Sequence, residues 1–382
     1  MIDISECVLL RGYINGNIGD DLFIRVICNR YKNEKFVIVG ARVFASSFRD
    51  IENLIYIVDD SLIAKIFEKS ANKIGMILGV NNWIYYRNKN RKYYNLCKKA
   101  KLNVLISGSW YIEWNNDIHY WEYFFKEEKK YYSANPVVVG VNFGPCKSSF
   151  FINGCIELLR SAQFLSVRDR ASQEMLKVVE PLYAPDIVFS LDTVGITAEP
   201  SKPQKIVISI IVVNEKSATE SYIKRMADLI NQSINLGYVI NLIRFCDYEG
   251  DCFVSERIMR LVCVKNSVLE CKYNGKNWKE IIGLLQSTSM IIAGRFHAMI
   301  LGWLLNIKTI AICYSPKMVN VINDLFPDTI KYSIQELEQC ELSLNYMMDN
   351  AQIPKTENVV SMSNDHFVLL DRLLKANAEE IR

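Results

Sequence analysis

ECVLLRGYINGNIGDDLFIRVICNRY (residues 6–31) is the stretch from which the fold is read. A short apolar run, Cys7 to Leu10, leads into a segment carrying Gly12, Gly16 and Gly19. Apolar residues at helical spacing come next. Strand, glycine-rich turn and helix in that order make a βα unit. Glycines at such a turn let backbone amides come close to an anion or a sugar. The spacing is not the dinucleotide pattern G-x-G-x-x-G, and the Lys-Ser/Thr of a P-loop is missing, so a nucleotide reading has little support. The structural alternative for this motif is a plain tight turn with Asp20 capping the helix.

Along the rest of the chain, short β-branched runs recur: FVIVGA (36–41), NVLIS (103–107), VVVGVN (137–142), IVISIIVV (206–213), YVINLI (238–243), MIIAG (290–294) and TIAICY (309–314). Continuous apolar runs bounded by Gly, Asn, Asp or Pro read as buried parallel strands. Stretches such as 220–235 and 277–288 carry apolar residues at helical spacing between them, so the expected class is α/β with helices on both faces of parallel sheets. At 382 residues the chain exceeds the size at which one core stops growing, so two domains are expected. The stretch ITAEPSKPQK (196–205) concentrates two prolines and charged residues and is read as the linker. This gives an N-terminal domain over 1–197 and a C-terminal one over 204–345. An amphipathic helix over 360–382, with Phe367, Leu370, Leu373 and Leu374 as its apolar positions, ends the chain. Ligands of such folds bind at the carboxyl ends of the strands, so functional residues are sought in the loops after strands.

A net charge of +3 is too balanced for a partner with a nucleic acid backbone, so any bound anion should be small and locally held. The 11 cysteines are scattered, with no C-x-x-C pair and no zinc-like spacing, as expected of reduced thiols in a cytosolic protein. The start of the chain has no basic leader, and the longest apolar stretch, Ile206 to Val213, falls far short of the roughly 20 residues that span a bilayer. Neither three histidines nor a dense carboxylate group lies near the motifs, so no metal is expected.

Two further motifs stand at strand-to-helix junctions. In SVRDRAS (166–172), Arg168 offers a fork of donors suited to a carboxylate or phosphate, the alternative being an ion pair with Asp169. In AGRFHA (293–298), Arg295 and His297 can set a fixed positive charge and a titratable group against one ligand, beside the amides of a helix start. The chain has three histidines, His119, His297 and His366, and of these His297 is the one at such a junction.

The ordered set GNIGD (16–20), GVNFGP (140–145), SVRDRAS (166–172), GRFHA (294–298) and YSPK (314–317) resembles the polysaccharide pyruvyl transferase family, from the GNIGDD loop to Lys317. The resemblance implies a GT-B-like fold, with two Rossmann-like domains whose parallel sheets face a central cleft. It implies phosphoenolpyruvate as donor and co-substrate, with no other cofactor, and a sugar acceptor in the biosynthesis of a cell-surface or capsular polysaccharide. Arg168, Arg295, Phe296, His297 and Lys317 then fall on the donor side, with His297 and Arg295 catalytic. On the reading of the residues themselves, Asn17, Gly19, Asp20, Trp110, Glu113 and Asp169 are placed on the acceptor or cleft side, where Asp169 is read as orienting Arg168.

Where members of the family often carry a run of glycines, this chain has SGSWYIEW (107–114), a departure on the acceptor side. Trp110 and Trp114 there suit either a sugar-stacking platform, with Glu113 or Asp117 binding hydroxyls, or, at their helical spacing, core packing. The segment 83–101, rich in cations and aromatics, suits either an anionic membrane surface presenting a lipid-linked saccharide at the cytoplasmic face or a solvated helix face. Two rival functions remain open at this level: a glycosyltransferase of the same fold using a nucleotide sugar, and a non-catalytic sugar-binding protein.

Overall fold

The computed structural model describes residues 3–59, 92–196, 204–213 and 216–379. The chain divides into two compact units. The first comprises the described residues of Met1–Ile14, Phe23–Ile187 and Asn364–Arg382, and the second those of Asn15–Leu22 and Val188–Ser363.

In the first unit the strands are β1 (Cys7–Arg11), β2 (Lys35–Gly40), β3 (Leu54–Val58), β4 (Leu102–Ile106), β5 (Ser109–Tyr111), β6 (Val137–Phe143), β7 (Phe164–Val167) and β8 (Leu182–Tyr183). They form one sheet in the order β3-β2-β1-β4-β6-β7-β8, with β5 added beside β6. The second unit has β9 (Lys205–Ser209), β10 (Val239–Arg244), β11 (Val268–Lys272), β12 (Met290–Ala293), β13 (Lys308–Cys313) and β14 (Lys331–Ser333), in the order β11-β10-β9-β12-β13-β14. Every strand pairing described is parallel. Parallel neighbours need crossover connections, and helices such as Lys216–Asn235 and Trp278–Gln286 occupy them. All residues of β1, β4 and β6 are buried, which accounts for the unbroken apolar runs in the sequence. The strand order reverses between β1 and β4 in one unit and between β9 and β12 in the other, and such a reversal is where doubly wound sheets bind their ligands.

The division departs from the sequence expectation at several places: the second unit begins at Val188, inside the expected N-terminal domain, and runs to Ser363, past the expected end at 345. Residues 364–379 pack with the first unit instead of standing apart as a terminal helix, and residues 15–22 group with the second unit. The expected linker lies mostly outside the described residues, as do residues 83–91 of the basic aromatic segment. Of the remainder of that segment, Tyr93 and Tyr94 are buried in the first core, while Lys92 donates to the Val58 carbonyl at 2.7 Å. These two tyrosines therefore serve the core and offer no ring to a membrane.

Several bonds fasten the C-terminal segment to its unit. Arg30 grips Asp371 through two nitrogens, at 3.0 and 2.6 Å, and donates to Asn364 at 2.7 Å. His366 is wholly buried, its Nε2 bonded to the Pro185 carbonyl at 2.8 Å and its Nδ1 to Ser166 Oγ at 2.8 Å. A carbonyl can only accept, so Nε2 carries the proton and Nδ1 accepts from the serine. Ser166 Oγ in turn accepts the Gly140 amide at 3.1 Å, completing a satisfied network around a neutral ring. Burial, helped by the nearby Arg168 charge, lowers the His366 pKa to about 4 from an ordinary 6.5.

Because the folded pKa lies below the unfolded one, the unfolded chain takes up a proton that the native state refuses. Stability is therefore complete above about pH 6.5 and declines as pH falls towards 4, by a His366 contribution of about 3 kcal/mol. Urea midpoints measured from pH 7 to 4.5 should show this decline in the wild type, and a shallower one in His366→Gln.

Candidate functional site

At the reversal point of the second sheet, the carboxyl ends of β9 and β12 are tied together. Ser209 Oγ accepts the amides of both Gly294 and Arg295 at 3.1 Å, and the Ser209 carbonyl accepts Gly294 N–H at 2.8 Å. A Cβ on Gly294 would stand 2.6 Å from that carbonyl oxygen and 2.9 Å from Tyr222 Oη, so position 294 has no room for a side chain. This close crossing fixes the backbone of Arg295, which precedes the helix Phe296–Leu304.

The Arg295 guanidinium is almost wholly buried and lies between two carboxylates, Nη2 donating to Asp251 Oδ1 and Nη1 to Glu249 Oε2. Asp251 has no exposed side-chain surface, and its Oδ2 also accepts the amides of Phe245 and Cys246, each at 2.9 Å. Burial opposes the arginine's charge, but Asp251 and Glu249 outweigh it and raise its pKa above the ordinary arginine value. Burial pushes the Asp251 carboxyl above its usual range. For Glu249 burial is outweighed by Arg295, Asn17 and Lys317, which hold it below the usual range.

The 15–22 loop joins this cluster inside the same unit. Asn17, directly before the helix Ile18–Arg30, accepts Gly19 N–H through Oδ1 at 3.1 Å and donates through Nδ2 to Glu249 Oε1 at 3.3 Å. Asn17 thus takes the capping place expected of Asp20, which lies inside the first helical turn where its charge suits the helix dipole. Ile18 N–H donates to the Phe245 carbonyl at 3.3 Å, and Asp21 accepts the Tyr273 hydroxyl at 2.7 Å.

The His297 ring lies against the backbone of Gly19, where an added Cβ would sit 1.8 Å from Nδ1. Nothing larger than hydrogen fits there while the ring keeps its place. Phe296 packs edge-on to His297, with ring centroids 5.2 Å apart, and Lys317 Nζ lies 5.5 Å from the Phe296 ring centroid and 5.4 Å from that of Tyr314. Three motifs scattered along the chain, GNIGDD, GRFHA and YSPK, therefore meet in one unit.

The remaining expected site residues belong to the first unit, and the structure corrects several of them. Arg168 is not an open cation. Its guanidinium is buried, donating to Asp186 at 2.7 Å and to Asn142 at 2.6 Å, because a desolvated charge requires a partner. The guanidinium lies 2.6–2.8 Å from where a Cβ on Gly108 would be, which explains why one glycine persists in SGSW. Asp169 caps the helix Arg170–Met175 by accepting Ser172 N–H and Oγ–H, each at 2.8 Å, and so orients that helix, while Asp186 and Asn142 orient Arg168.

Glu113 is a loop staple, accepting the Lys147 amide, the Ser148 hydroxyl and, at 2.8 Å, the Ser148 amide. Trp110 belongs to a strand, not a helix, and its ring centroid lies 4.9 Å from the Arg11 guanidinium. Trp114 is 66% exposed, with its ring edge-on to Tyr120 and Trp121. The helical spacing of these two tryptophans therefore has no helix behind it. Sequence reasoning missed Glu249, Asp251 and Ser209. The signal for the first two was the acidic, glycine-containing turn CDYEGD (246–251) at the carboxyl end of β10.

The family model for polysaccharide pyruvyl transferase matches residues 16–316, a span holding Gly19, Arg168, Glu249, Asp251, Arg295 and His297. No curated protein matches the sequence. Among solved structures, a UDP-GlcNAc 2-epimerase from Neisseria meningitidis bound to UDP-GlcNAc is similar with a TM-score of 0.58 at 10% identity, over 97% of this chain and 99% of that one. A UDP-GlcNAc 2-epimerase from Methanocaldococcus jannaschii has a TM-score of 0.56 at 8% identity, covering 96% and 99%. Anabaena Alr3699/HepE in complex with UDP-glucose has 0.54 at 10%, covering 98% of each chain. At these identities the likeness is one of fold, and the fold is GT-B-like, with two parallel-sheet α/β units.

The contact between Gly19 and His297 can be tested by a double-mutant cycle. Gly19→Ala should destabilise the protein by about 1–3 kcal/mol through overpacking. In a His297→Ala background, where the ring is gone, the same change should cost little, since alanine is the better helix former. Equal costs in both backgrounds, read from chemical denaturation, would show that the ring does not bear on residue 19.

Proposed function

The chain belongs to the polysaccharide pyruvyl transferase family, and on that premise we propose that it transfers the enolpyruvyl group of phosphoenolpyruvate to two hydroxyls of one sugar residue, forming a pyruvate ketal. The observation carrying this reading is the placement of His297 on Gly19, beside the paired Arg295, at the reversal point of the second sheet. That arrangement sets an imidazole ring next to a cluster of paired charges within the span the family model covers.

In the proposed reaction the methylene carbon of the donor takes a proton, and the first sugar hydroxyl attacks the cationic C2 that results. Phosphate then leaves, and the second hydroxyl closes the ketal. Two hydroxyl protons are released for the one taken up at carbon, and the other departs with phosphate. His297 is assigned the proton transfer, since an imidazole can both donate and accept a proton. The Nδ1 edge of the ring lies on Gly19, so Nε2 is the nitrogen further from that backbone and the one assigned to the reacting carbon. Arg295 and Lys317 are assigned the donor's anionic groups, with Phe296 holding both Lys317 and His297 in place. Arg168 is left out of the donor contacts, because Asp186 and Asn142, which accept from its guanidinium, are buried, whereas Glu249 on Arg295 is partly exposed.

Among the described residues no helix is long and apolar enough to cross a membrane. A lipid-linked acceptor met at the cytoplasmic membrane face stays within the proposal.

Incubation with phosphoenolpyruvate and candidate oligosaccharides should give, by mass spectrometry, acceptors heavier by pyruvate less water, with phosphate released in equal amount. His297→Asn should bind the donor within a few-fold of the wild type and lose turnover by about 10²–10⁴. A variant turning over near the wild-type rate with an unchanged pH profile removes His297 from the proton transfer.

A further inference from the structure

The two carboxylates on Arg295 are not held alike. Asp251 is fully buried, and both its oxygens are committed, one to Arg295 and the other to two backbone amides. Moving it would strip several buried hydrogen bonds at once. Glu249 has 30% of its side chain exposed and closes the short turn Asp247–Glu249. The next residue, Gly250, sits at φ +95°, a backbone conformation that glycine enters and leaves at little cost. Apart from Arg295, the bond found for the Glu249 carboxylate is the long one to Asn17, at 3.3 Å.

The local charge balance determines whether a small anion is drawn to this cluster. Arg295 and Lys317 contribute two positive charges, and Glu249 and Asp251 two negative ones, so the cluster as it stands has no net attraction for an anion. If Glu249 swings away, Arg295 keeps Asp251 as its buried partner and exposes Nη1, and the local balance becomes positive. A phosphate or carboxylate oxygen offers a guanidinium nitrogen the same kind of acceptor as the glutamate it replaces.

We propose that Glu249 is a displaceable counter-ion: it yields Arg295 Nη1 to the anionic group of the incoming substrate, and this exchange sets the anion affinity of the site. The inference rests on the reading of the substrate as a phosphorylated carboxylic acid, but it concerns any small anion that reaches Arg295.

Binding of phosphoenolpyruvate and, separately, of inorganic phosphate is measured by calorimetry at fixed ionic strength for the wild type, Glu249→Gln, Glu249→Ala and Asp251→Asn. Removing the competing charge should tighten both probes by about tenfold in the two Glu249 variants. Asp251→Asn should not tighten binding, and should lower thermal stability. The proposal is overturned if folded Glu249 variants bind the probes no better than the wild type, if Asp251→Asn tightens binding as much as Glu249→Gln, or if neither probe binds any of the proteins. It is overturned equally if both Glu249 variants fail to fold, for then the residue is a structural strut. Tighter phosphate binding in the Glu249 variants of an enzyme that never turns over phosphoenolpyruvate would uphold the exchange and refute the donor.

Discussion

A guanidinium buried at the carboxyl edge of a parallel sheet must bring its counter-charge with it, and both units of this protein are built round that requirement. Arg295 is paired with Asp251 and Glu249, Arg168 with Asp186, and Arg11 with Glu128 at 2.6 Å, the last between the rings of Trp110 and Tyr131. Stability alone gives no reason for such pairs, since well-packed apolar residues of equal volume do as well or better, by about 1–4 kcal/mol. A paired arginine supplies something leucine cannot, a fork of donors fixed at a chosen place and orientation. In the second unit that place is the sheet's reversal point, which is why the proposed chemistry is centred on Arg295.

Close approach, more than turn geometry, explains the glycines around these arginines. Gly19, Gly108 and Gly294 each face an atom that a Cβ would overlap: the His297 ring, the Arg168 guanidinium and the Ser209 carbonyl. Each glycine fits its partner by lacking a side chain. The GNIGDD and GRFHA motifs are thus two halves of one fit, one a bare backbone and the other a ring lying on it. Asn17 and Ser209 complete it, Asn17 by accepting the Gly19 amide at the start of the first helix and Ser209 by accepting the Arg295 amide at the end of β12.

Much of the fold was legible in advance because it depends on local pattern. Seven apolar runs predicted as strands correspond to β2, β4, β6, β9, β10, β12 and β13, since a strand buried on both faces must be apolar along its length. His297 and Arg295 stood out because a strand-to-helix junction is recognisable from residues on either side of it. The tryptophans of SGSWYIEW misled because a separation of four satisfies helical spacing even where the backbone is a strand and loop. Glu249 and Asp251 went unseen because an acidic turn after a strand resembles any solvated loop until its partner is known.

The order of elements, the class of the fold and the family were determined by the sequence itself, for periodicity, glycine placement and motif order need no partner to be read. Which charge meets which was decided by the tertiary structure alone. Asn17 and Glu249 are 232 residues apart, and His366 and Ser166 are 200 apart. A wholly buried group such as His366 has no water to turn to, so it must bond with whatever group the fold carries to its side.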